Sequence, residues 1–102
     1  MSRDRGRALV HALTRSAAAQ GCAVTVTDQG WRRWASATFA GARHRLGVSG
    51  APSPAFDAWL SRLGDAELSI GGQLVADLGV TAVAREAGET RAAIEVLTLD
   101  AD

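Results

Sequence analysis

Twice along this chain a four-residue apolar recurrence gives way to alternation of two, and that double change of period limits the folds open to it. Over residues 3–20, Leu9, Leu13 and Ala17 return at every fourth position with Val10 beside them, the stripe of an amphipathic helix. Ser2 is placed to cap its start, Asp4 suits the positive end, and Gly21 supplies a left-handed stop. Directly afterwards "CAVTVT" sets Cys22, Val24 and Val26 on one side of a strand and Ala23, Thr25 and Thr27 on the other. A turn at Asp28-Gln29-Gly30, a strand over 31–40, a tight turn at Gly41-Ala42 and a strand over 43–48 complete the first unit.

The second unit opens at Ser53, an N-cap followed by Pro54 in the first helical position. Phe56, Trp59, Leu60 and Leu63 give this short helix its apolar face, and Gly64 is its expected end. Strands are predicted over 66–70 ("AELSI"), 73–85 and 90–99, joined by Gly71-Gly72 and by the looser turn "EAGE" at 86–89. The order is therefore αβββαβββ: a single domain over residues 1–102, α+β and two-layered, with an antiparallel sheet and two helices on one face. Aligning Gly21 with Gly64 superimposes the helices and strand ends, as an internal duplication with halves 1–50 and 51–102 would do. The first five elements follow the order of a double-stranded-RNA-binding domain. That family opens its second helix on a basic run, whereas here the place reads "PSPAFDAW", without a positive charge.

An apolar fraction of 47% and a charged fraction of 22% are those of a globular chain, and no apolar run is long enough for a membrane span. The basic N-terminus lacks the apolar stretch and cleavage site of a secretion signal, so a cytoplasmic location and no membrane partner are expected. All 11 basic side chains are arginine, which together with the alanine and glycine content reads as bacterial coding. The net charge of zero conceals a strong polarity: residues 29–56 carry four arginines and no acid, while residues 65–102 carry eight acids and two arginines. Such asymmetry marks either a basic binding surface or two surfaces that meet head to tail.

Alternation also identifies side chains that two helices on one face cannot hide. Trp34 falls opposite Trp31, and Val75, Val83, Leu97 and Leu99 fall opposite their apolar neighbours. These five are the candidate interface, because a contiguous apolar patch of this kind is ordinarily a contact surface. The expected partner is a second copy of the chain, in a homodimer, or another protein. A sheet curled on itself would bury the same residues within one chain. The primary functional expectation is thus a non-catalytic protein-binding or assembly module.

The alternative rests on "WRRWASATFAGARHRL", the hairpin at 31–46, where Arg32, Trp34, Arg43 and Arg45 are candidate nucleic-acid contacts through phosphate pairing and base stacking. A second alternative is a small-ligand-binding protein or enzyme built around His44 or Asp77. The separate expectation for each is structural: His44 as a hydrogen-bonded core residue, Asp77 as acceptor from an arginine on the next strand. Arg3, Arg7, His11 and Arg15 form a hydrated helical face, and Cys22 reads as a buried, inert thiol. No phosphate loop, dinucleotide fingerprint, nucleophile elbow or zinc spacing is present, so no catalytic residue, metal or cofactor is expected.

Overall fold

The structure, a computed structural model, describes residues 2–66, 68, 70 and 73–100. Helix α1 (Ser2–Ala19) leads into strands β1 (Thr25–Ala35) and β2 (Ala40–Gly50). Helix α2 (Pro54–Arg62) and a 3-10 turn (Leu63–Asp65) lead into β3 (Gln73–Glu86) and β4 (Glu89–Asp100). The four strands form one antiparallel sheet in the order β1-β2-β4-β3. Both helices pack on one face of it, in the α+β arrangement expected.

Among the described residues each half contributes two strands where alternation suggested three. In the first half the proposed turn at Asp28-Gln29-Gly30 is a bulge inside one continuous strand, β1, which gains a residue on β2 between Asp28 and Trp31. Asp28 Oδ1 accepts from the Gly30 N–H at 2.9 Å, and Gly30 takes φ 111°, a conformation that favours glycine. The reversal sits at 36–39 instead of Gly41-Ala42: Ser36 Oγ accepts from the Phe39 N–H at 3.1 Å, and the Ser36 N–H donates to the Phe39 carbonyl at 2.7 Å. In the second half, Glu67, Ser69 and the Gly71-Gly72 turn lie outside the described residues, and Ile70 makes a single bridge with Gln73.

Helix α2 starts for the expected reason. Ser53 Oγ accepts from the Phe56 N–H at 3.0 Å, capping α2 behind Pro54. Gly64 continues into the 3-10 turn instead of ending the helix. Leu9, Leu13 and Ala17 of α1 and Phe56, Trp59, Leu60 and Leu63 of the second segment are buried against Leu46, Val48, Ile94 and Val96. The Trp59 indole N–H donates to Ser16 Oγ at 3.0 Å, tying the two helices together. His44 is wholly buried in this layer, with Nε2 3.4 Å from Thr98 Oγ1 and its ring against Trp31.

Two further bulges decide the faces of β3. Val75 pairs with Thr98 and Asp77 with Leu97, leaving Ala76 over; Val80 pairs with Ile94 and Ala82 with Ala93, leaving Thr81 over. Each extra residue flips the alternation. Val75, Leu78, Val80 and Val83 therefore all share the helix side, while Leu74 and Asp77 fall on the other. This corrects the sequence-based assignment of Val75 and Val83 to the far face. Val75 packs against the core, and Val83 stands 44% exposed beyond the reach of the helices.

Candidate interface on the open sheet face

The face opposite the helices is built from five rows read across the sheet. The first runs Trp34, Gly41, Leu99, Leu74 over the four strands. The second is Arg32, Arg43, Leu97, Asp77, and the third holds Arg45, Glu95 and Gly79. The last two contain Thr27, Gly47, Ala93 and Ala82, then Thr25, Ser49, Arg91 and Ala84. One end of the face is apolar, its middle is charged, and its far end carries small side chains beside Arg91.

The apolar end is open. Leu74 is 60% exposed, Leu97, Leu99 and Trp34 are half-buried, and the indole N–H of Trp34 is sealed from solvent without an acceptor among the described residues. A donor buried in that state costs roughly 1–3 kcal/mol. Between Trp34 and Leu99 lies Gly41, where β2 approaches β4 so closely that a Cβ would run into the Thr98 carbonyl. The row thus carries no side chain at Gly41, between a tryptophan and a leucine.

The charged middle is divided by strand. β1 and β2 present Arg32, Arg43 and Arg45; β3 and β4 present Asp77 and Glu95. Arg43 reaches Glu95 at only 3.9 Å, both side chains well exposed, while Arg32 and Arg45 make no ion pair among the described residues. The three arginines line a shallow hollow of about 500 Å³ with Gln29, Gly30, Trp31 and Glu95. The bulge in β1 opens it by swinging Gln29 and Gly30 out of the regular ladder.

Of the sequence-derived candidates, Arg32, Trp34, Arg43 and Arg45 do converge on one face, with Leu97 and Leu99 beside them. Val75 and Val83 do not join them. Asp77 is exposed on the open face and accepts from the Leu78 N–H at 3.0 Å, in place of an arginine. His44 is buried on the opposite face, so the two are not brought together. Arg7, His11 and Arg15 are exposed on α1, as their stripe implied. Cys22 is buried and donates to the Ala17 carbonyl at 3.3 Å; burial pushes its thiol pKa up. No group of three or more His, Cys, Asp or Glu side chains able to hold a metal converges among the described residues. No helix among them is long and apolar enough to cross a membrane.

The sequence pattern missed Leu74 and the acidic half formed by Asp77 with Glu95. Asp77 itself was the available signal. A carboxylate midway along an apolar strand, at the same parity as Val75 and Val83, is hard to reconcile with regular alternation and easy with a bulge. Comparison with protein-family models, with curated proteins and with solved structures returned no match.

Proposed function

We propose that this chain is a non-catalytic assembly module that docks a second copy of itself through the open face of its sheet. The observation that carries the reading is the row Trp34, Gly41, Leu99, Leu74, with Leu97 behind it, which spans the sheet on the side the helices leave bare. Taking a large apolar side chain from full exposure to full burial is worth about 1.5–3 kcal/mol, and these partly covered ones each stand to gain a share of that. Four strands about 4.8 Å apart and about eleven residues long at about 3.3 Å each give a face on the order of 700 Å² per copy. Two such faces together reach the roughly 1,200–2,000 Å² of a specific interface. A cytoplasmic setting fits a single buried thiol.

A second reading has its own observation: Arg32, Arg43 and Arg45 converge around one hollow beside Trp34, as contacts to a nucleic-acid backbone would require. The two readings part with salt. Light scattering on a sizing column, at low and high salt, with and without a short duplex and a short single strand, separates them. Self-docking through apolar rows gives a two-chain mass that persists at high salt and ignores both nucleic acids. A one-chain mass that shifts with nucleic acid only at low salt favours the second reading. A one-chain mass indifferent to both removes them together.

A further inference from the structure

Resting on that self-docking reading, we infer that the two-fold axis of the pair runs parallel to the strands, so that the basic half of each face meets the acidic half of the other. Two stacked sheets related by a dyad have two aligned choices, with the axis along the strands or across them. The first keeps each row at its own height and exchanges left for right. The second keeps each strand over its own copy and exchanges top for bottom.

With the axis along the strands, the first row lies on itself reversed. Leu99 sits over Gly41 of the partner subunit, which opposes it with no side chain, and Trp34 over Leu74 of the partner subunit. The same operation places Arg32 against Asp77 of the partner subunit and Arg45 against Glu95 of the partner subunit. The two arginines that make no ion pair among the described residues each gain a carboxylate. With the axis across the strands through the central row, which overlaps the two faces fully, Arg45 faces its own copy and Glu95 faces its own copy. Trp34 and Leu99 then meet Thr25 and Arg91, and the apolar row never finds itself. Like charges opposed across an interface disfavour that packing, and apolar side chains left against polar ones gain little from it.

Dipolar spin–spin distances test the axis. Thr25 is exposed at the edge of the open face, so a nitroxide on Thr25→Cys, in a Cys22→Ala background, reports its own copy. With the axis along the strands, the two β1 edges are separated by three strand spacings and one sheet spacing, about 18 Å. With the axis across them, Thr25 lies four residues from the central Arg45–Glu95 row in each copy, and the separation is about 29 Å. A distribution centred near 18 Å, repeated for a label on Ala84→Cys at the opposite edge, supports the inference. One near 29 Å overturns the axis while leaving self-docking intact. A dipolar-silent sample with a one-chain mass overturns both. A charge exchange gives a second reading: Arg45→Glu and Glu95→Arg should each weaken association at least tenfold alone, and an equimolar mixture of the two chains should recover it. Mixing without recovery contradicts the cross-chain pairing.

Discussion

Gly41→Ala is the smallest change that probes the framework of the open face. Glycine to alanine in a strand ordinarily stabilises, by about 0.4–1 kcal/mol, because the unfolded chain loses freedom it no longer has to give up. At Gly41 the sign should reverse. The new methyl points into the Thr98 carbonyl, part of the β4 backbone and not a flexible side-chain tip that could step aside. Either β2 or β4 must move, and Thr98 is held in place: its hydroxyl donates to the Ala42 carbonyl at 3.3 Å and lies 3.4 Å from His44 Nε2, all within a fully buried layer. Forcing a methyl into such a site costs about 1–3 kcal/mol. In a domain of this size that lowers the melting temperature by roughly 5–20 °C. Gly79→Ala is the control, since a Cβ there meets nothing within 4 Å and should leave stability unchanged or slightly raised. Urea denaturation followed by tryptophan fluorescence, run beside a thermal scan, measures both. Equal midpoints for the two variants would refute the close approach of β2 and β4 at Gly41.

Other substitutions read separate parts of the structure. Leu46→Ala removes a wholly buried side chain between both helices and the sheet, and should cost about 2–5 kcal/mol in urea unfolding. Ser53→Ala deletes the acceptor for the Phe56 N–H and should cost about 1 kcal/mol, while Ser53→Asp should retain most of the cap. Cys22 should react with an aromatic disulfide reagent far more slowly in the native protein than in urea. Its pH–rate profile should lie above that of a free thiol, because burial raises the thiol pKa and delays the thiolate; coincident native and unfolded profiles would contradict the buried site.

Much of the architecture was legible where one period held over a whole element. The stripe Leu9–Leu13–Ala17, the cap at Ser53 and the strand over 43–48 all lie where local pattern placed them. What pattern misplaced was connected with bulges and turns. Asp28-Gln29-Gly30 has the composition of a reversal, but the hydrogen bond that the Asp28 carboxylate accepts from the Gly30 N–H serves equally well inside a strand. Gly41 resembles a turn residue and is instead required by a neighbouring backbone, a demand set by tertiary packing and invisible locally. In β3 the two unmatched residues, Ala76 and Thr81, are of a size that suits either face, so nothing nearby marks where the alternation slips. That slip moved Val75 and Val83 inward and turned Leu74 outward, while Asp77 stayed on the far face that its parity gives it. The site was accordingly half legible: the arginines, Trp34, Leu97 and Leu99 were found, and their acidic counterpart was not.

Sedimentation equilibrium of the wild-type chain beside Leu99→Asp asks most directly whether a second copy covers the open face. Leu99 is half-buried in the middle of the apolar row, between Gly41 and Leu74, so a carboxylate there should spare the fold and spoil the contact. The expected result is twice the 10.6 kDa chain mass for the wild type and a single-chain mass for the variant, with superimposable far-ultraviolet circular dichroism. A wild-type chain that stays single at every concentration, or a Leu99→Asp chain that pairs as tightly as the wild type, would contradict the account.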